Sequence, residues 1–239
     1  MLNFLGIGAQ KSGSSWLHKV LLEHPKIAFP GGKEVHFWDQ QSKYKHGISW
    51  YTQLFLNEEL INGEITPAYA FLPIDVIQDI YNIEPNLRLI YLIRNPIDRA
   101  WSSARMALAR AGMLHEEASD QWFIDHFKSS GSLARGDYES CIRNWRSVFP
   151  SNQLLIIRYD VMENRPVFIA NTVLNHLGLN DFFEQSNQKN LSEKVFEGDG
   201  VSIRPTLLPV LQDIYIQRIE SLEGYLKEDL SSWKRQADT

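Results

Sequence analysis

"NFLGIGAQKSGSSWLHKVLLEHP", Asn3–Pro25, sets an apolar run against a loop of small residues and then a helical pattern. Phe4–Gly8 reads as a buried strand, because its apolar residues run on without polar alternation. Beyond the loop, Trp16, Leu17, Val20 and Leu21 recur at helical spacing, with Ser14 or Ser15 as the candidate cap and Pro25 as the stop. Small residues let main-chain N–H groups between Gly8 and Ser15 approach an anion, and the helix N-terminus adds partial positive charge. Lys11 adds a full one. The nucleotide-binding pattern G-x-x-x-x-G-K-[ST] places its lysine after the last glycine. Here Lys11 precedes Gly13, so an ordinary ATP or GTP site is not supported. A plain strand–helix turn is the alternative for the loop, and core packing is the alternative for Trp16.

Outward from this unit, "NLRLIYLIRNP" predicts a second buried strand, Leu87–Ile93, followed by a helix from about Ile97 to Ala111. Gln153–Tyr159 predicts another strand and "GEITPAY" a short one, while helical patterns fill Ile74–Ile83, Tyr138–Val148, Val167–Leu177 and Leu207–Leu226. Continuous apolar strands alternating with helices predict an α/β fold, a central parallel sheet flanked by helices, in a single domain over residues 1–239.

Ligands of such sheets sit outside the carboxyl ends of the strands. Arg94 stands at one such end, suited to clamp a phosphate in bidentate fashion, and Ser102 in the next helix adds a hydroxyl donor. The alternative for Arg94 is an ion pair with Asp98; Arg99 and Arg105 read as solvent-facing or structural. Two anion sites at neighbouring strand ends suggest a nucleotide that carries phosphates at two places.

Composition narrows the function classes. A formal net charge of −5 over 239 residues argues against a general nucleic-acid binder. One cysteine, Cys141, excludes an intrachain disulfide and fits a reducing compartment. No secretory leader and no apolar run near the ~20 residues of a membrane span are seen, so the expectation is a soluble, cytoplasmic protein without membrane insertion.

Taken together, "QKSGSSWL" and "IRNPIDRAWS" resemble the sulfotransferases that use 3′-phosphoadenosine 5′-phosphosulfate (PAPS) and release adenosine 3′,5′-bisphosphate. The resemblance is nearest the heparan sulfate (glycan) branch, of a soluble bacterial or viral type. "KEVHFWD" (Lys33–Asp39) is similar to that branch's base-bearing segment, and "GISWYTQLF", "EITPAY", "YESCIRNWRSVFP", "GDGVSIRP" and "LKEDLSSW" follow in the expected order. It implies a fold related to the P-loop nucleotide-binding proteins, no metal requirement, and a glycan or small-alcohol acceptor.

By the same resemblance, Lys11, Ser12, Gly13, Ser14, Ser15 and Trp16 hold the 5′-phosphosulfate, with Lys11 at the oxygen that leaves sulfur. Arg94 and Ser102 bind the 3′-phosphate, and Gly200, Val201, Ser202, Ile203 and Arg204 close over the nucleotide. Glu34 is the general base. His36 orients Glu34, binds acceptor or acts as base itself; two residues apart in an extended segment, the two face the same side. Asp39, Tyr138 and Lys194 are acceptor- or sulfate-facing candidates, with core packing the favoured role for Trp145 on the Tyr138 helix. Where relatives often carry lysine, this chain has Ile65, which implies a different acceptor or altered assistance to catalysis. A small-molecule kinase and a non-catalytic nucleotide- or glycan-binding relative are the competing expectations.

Overall fold

The computed structural model describes residues 1–192 and 200–234. Five strands form one sheet: β1 (Leu2–Gly8), β2 (Ile27–Ala28), β3 (Ile61–Ile65), β4 (Arg88–Ile93) and β5 (Leu154–Arg158), in the order β2-β3-β1-β4-β5. Every pairing is parallel. The strands read as unbroken apolar runs because each face of a parallel sheet must be covered; in β4 every residue after Arg88 is buried. On one side Phe4, Ile90 and Leu92 pack with Leu17, Val20 and Leu21 of the helix Ser14–Leu22 and with Val173 and Leu174 of the helix Pro166–His176.

Registers Gly6↔Ile65 and Gly8↔Tyr91 bring the carboxyl ends of β3, β1 and β4 side by side. Ala9 N–H donates to Leu92 O at 2.6 Å and carries the pairing one residue past β1. The loops that follow these strands therefore start from one edge of the sheet, where side chains far apart in sequence can meet.

The described chain separates into two compact units. One, with residues 1–93 and those from 141 to 192, contains the sheet. The other, with residues 94–140 and those from 200 to 234, is helical, built on Pro96–Arg110, Asp120–Lys128, Ser130–Gly136 and Leu208–Leu226. Trp101, Phe123, Phe127, Tyr215 and Ile219 are buried in it. Arg99 is fully buried there, its Nη2 donating to Ser132 O and Oγ at 3.1 Å and to Tyr215 Oη at 3.3 Å. Of the two roles open to Arg99, the structure shows the structural one.

Candidate active site

The loop after β1 departs from its expected capping. The cap of the helix Ser14–Leu22 is Gly13, with a left-handed φ of 99°, and Ser14 and Ser15 lie inside the first turn. That torsion is strained for any residue with a Cβ, and a Cβ at position 13 would stand 2.7 Å from the flexible end of Met162, which would have to move, and 3.3 Å from Tyr159 Cδ2. Among the described residues no side chain caps this helix, which leaves its first-turn N–H groups suited to an external anion. Ser12 is fully buried, and its hydroxyl has no hydrogen-bond partner among the described residues. Lys11 is half-buried with a left-handed φ of 67°. An orphaned buried hydroxyl, an uncapped helix end and a lysine in one loop suit a phosphate or sulfate group. Trp16 takes its packing alternative: the ring is buried and Nε1–H donates to Leu191 O at 2.6 Å.

Within the same unit, Lys33–Asp39 brings together the residues singled out from sequence. His36 Nδ1 lies 2.9 Å from Asp39 Oδ2, and its Nε2 lies 3.1 Å from Glu34 Oε2. Ionised carboxylates only accept, so Asp39 requires a proton on Nδ1, and the second contact requires one on either Nε2 or Glu34. The three side chains form a chain along which a proton can be held. The backbone beneath them is not extended as expected. His36 has a left-handed φ of 60°, and that turn swings its ring onto Glu34.

Lys33 was missed as a site residue. Its Nζ is 2.6 Å from Glu34 Oε1 and 3.4 Å from Ser14 Oγ, so one ammonium links the carboxylate to the anion loop. Ile65 is fully buried in the apolar core, so position 65 contributes no charge and the cation beside the carboxylate comes from position 33. Glu64, Tyr51 and Tyr69 were missed as well. Glu64 is fully buried, and burial pushes its carboxyl above the ordinary range while its hydrogen bonds pull the other way. Both tyrosine hydroxyls are raised by burial and then by the charge of Glu64. A glutamate inside the strand-like "NGEITP" was the available signal.

In the helical unit, Arg94 directly follows β4 in the chain, and Ser102 lies in the second turn of the helix Pro96–Arg110. Both are half-buried. Val201 O accepts from Trp101 Nε1–H at 2.9 Å and from Arg105 at 3.3 Å, which pins the segment 200–204 through its main chain. Ser202 is exposed. Arg204 differs from expectation: its guanidinium is engaged by Asp120 Oδ1 at 2.7 Å and His115 O at 2.6 Å, and lies over the Phe123 ring. It braces the segment instead of presenting a free cation. Tyr138 is also corrected, because it is 2% exposed and a stacking platform for a sugar needs an open ring face. Trp145 is buried in the sheet unit, donating to Tyr69 O and Ala70 O at 3.2 Å. Lys194 lies outside the described residues. Among those residues, no group of three or more His, Cys, Asp or Glu side chains is arranged to hold a metal ion, and no helix is long and apolar enough to cross a membrane.

The sulfotransferase domain family matches residues 3–235. The chain belongs to the sulfotransferase family. A sulfotransferase from Alicyclobacillus acidocaldarius has a similar crystal structure, with TM-score 0.75 and 25% identity over 98% of this chain and 99% of that one. A mouse sulfotransferase complexed with PAP shares the fold at TM-score 0.62 and 15% identity, over 95% and 88% of the two chains. Heparan sulfate glucosamine 3-O-sulfotransferase 6 of Mus musculus is 27% identical over 180 residues, covering 72% of this chain and 51% of the relative. A membrane-associated sulfotransferase, kil1 of Dictyostelium discoideum, is 34% identical over 111 residues, covering 44% and 23%. The chain thus spans about half, or less, of these curated relatives.

Proposed function

We propose that this family member transfers a sulfuryl group from PAPS to a hydroxyl or amine of a carbohydrate acceptor, with Glu34 as the base. The observation that carries the proposal is the Asp39–His36–Glu34 chain tied through Lys33 to Ser14 of the anion loop. A carboxylate joined in this way to an anion site is suited to take the acceptor's proton as its oxygen or nitrogen attacks sulfur. The donor supplies the sulfuryl group on a phosphate that departs with the charge.

In this proposal Ser12, the first-turn N–H groups of Ser14 and Ser15, and Lys11 hold the 5′-phosphosulfate, with Lys11 stabilising charge at the departing oxygen. Arg94 and Ser102 take the 3′-phosphate, and the main chain of 200–203 lies against the nucleotide. His36, held by Asp39, keeps Glu34 oriented and shares its proton. Lys33 restrains the carboxylate until acceptor arrives and supplies the cation that relatives place at position 65. A glycan acceptor is favoured because the base-bearing segment resembles that of heparan sulfate enzymes, and similarity to a mouse heparan sulfate 3-O-sulfotransferase supports it.

The test is calorimetric titration with adenosine 3′,5′-bisphosphate, ADP and magnesium-ATP, followed by transfer of labelled sulfate from PAPS to a panel of glycans. Selective bisphosphate binding and label on a glycan are expected. Binding of magnesium-ATP alone would return the anion loop to kinase chemistry.

A further inference from the structure

We infer that Glu64 is a positioning residue for the base segment: its buried carboxylate holds the main chain that presents Glu34 and His36. The inference rests on the proposed role of Glu34 as base. Glu64 lies in β3 opposite Leu5 of β1 and is fully buried. Oε2 accepts from Val35 N–H at 3.0 Å and from Thr66 Oγ1 at 2.6 Å. Oε1 accepts from Tyr51 Oη at 2.5 Å and from Tyr69 Oη at 3.1 Å. A carboxylate offers about four lone-pair sites, and four neutral donors fill them.

This arrangement fits an acceptor-only group and no other side chain of the same size. A glutamine would set its NH₂ against two of the four donors, leaving buried hydrogens facing one another.

The hold on the base segment extends beyond one bond. Lys33 O accepts from Ile65 N–H at 2.7 Å, Val35 N–H reaches Glu64, and Phe37 N–H donates to Tyr69 Oη at 2.9 Å. Tyr69 passes that anchor on, since its own hydroxyl hydrogen goes to Glu64. Residues 33, 35 and 37 are thus tied to β3 and the turn after it, while the intervening Glu34 and His36 side chains meet each other at 3.1 Å. The left-handed backbone at His36 is an unfavourable conformation for a non-glycine residue and persists because both flanking residues are pinned. A group placed this way governs the position of the proton acceptor without touching acceptor or donor.

The experiment compares Glu64→Gln, Glu64→Asp, Tyr69→Phe and Glu34→Gln in the full chain. It measures kcat and KM for transfer from PAPS to a heparan-type glycan, affinity for adenosine 3′,5′-bisphosphate, and amide hydrogen exchange. Glu64→Gln is expected to lower kcat by roughly 10–100-fold, as displaced catalytic groups do. Bisphosphate affinity should stay within a factor of about two, while exchange at Val35 and Phe37 quickens by about tenfold or more. Glu64→Asp, which keeps the acceptor-only chemistry, should recover part of kcat. Tyr69→Phe should reproduce the faster exchange at Phe37 with the carboxylate in place, and carries the test should Glu64→Gln fail to fold. Unchanged kcat and amide protection in Glu64→Gln, with activity lost in Glu34→Gln, would overturn the positioning role and leave the base assignment standing. Full turnover in Glu34→Gln would overturn the base assignment and the inference with it.

Discussion

Glu34 and His36 meet at 3.1 Å, Oε2 to Nε2, across a left-handed turn at His36, while Asp39 holds the other ring nitrogen at 2.9 Å. Lys33 closes the arrangement from the opposite side, 2.6 Å from the second oxygen of Glu34. One carboxylate therefore has a fixed orientation, a proton-bearing neighbour and a counter-cation within the seven residues Lys33–Asp39.

Replacing Glu34 with glutamine keeps the side chain's shape and removes its basicity. Transfer from PAPS is expected to fall by roughly 10²–10⁴ in kcat, the usual contribution of a positioned base. Titration with adenosine 3′,5′-bisphosphate should give an unchanged affinity. Loss of that affinity would mean that Glu34 serves the nucleotide instead.

Lys33→Met separates function from stability. A partly exposed ion pair contributes only about 0–1 kcal/mol to folding, so the melting temperature should scarcely move. Turnover is expected to drop about tenfold or more through loss of one electrostatic contact beside the reacting group. A variant that melts early yet turns over normally would make Lys33 a structural residue.

Arg94→Ala tests the 3′-phosphate assignment. Charged hydrogen bonds of about 1.5–3 kcal/mol should be lost from adenosine 3′,5′-bisphosphate and not from ADP. Isothermal titration of both ligands reads the difference, and equal weakening of the two would place Arg94 elsewhere on the nucleotide or in the fold.

Gly13→Ala challenges the loop directly. Its φ of 99° is strained for any residue with a Cβ, and the flexible end of Met162, 2.7 Å from that Cβ, would have to shift. Strain of about 1–3 kcal/mol is expected. For a chain of this size that is a fall of roughly 2–12 °C in melting temperature. A variant as stable as the parent would show that the loop can adopt another path.

The histidine contribution to the pH dependence of stability has a definite sign. Burial lowers His176 below the ordinary histidine value of 6.5, and its Nε2–H donates to Leu89 O at 3.1 Å. The unfolded chain then binds this proton more readily than the folded one. The contribution is complete above 6.5 and is lost as pH falls through the depressed folded value. His18, His24 and His126 shift the same way, each chiefly by burial. Glu64 and Glu84, raised by burial, contribute with the opposite sign. The test is therefore differential: between thermal melts at about pH 7.5 and about pH 5.5, His176→Gln should lose less stability in acid than the parent.

Strand identity and the family were legible in the linear order of residues, because unbroken apolar runs have few other uses and the motif order is itself specific. The early lysine of Gly8–Ser15 likewise argued against an ordinary nucleotide triphosphate loop before any geometry was known. Gly13 was legible as a small loop residue, but its part as the helix cap rests on a left-handed backbone that only the folded chain shows. Arg204, Tyr138 and Trp16 show the limit most clearly. An arginine, a tyrosine and a tryptophan each suit ligand contact by chemistry, and only packing reveals that Asp120, the helical core and Leu191 O already engage them. Glu64 and Lys33 fall on the other side of the same limit. Their importance comes from hydrogen bonds to residues brought close by parallel strand pairing, and a one-dimensional pattern carries periodicity and composition but not which buried donors converge on a carboxylate.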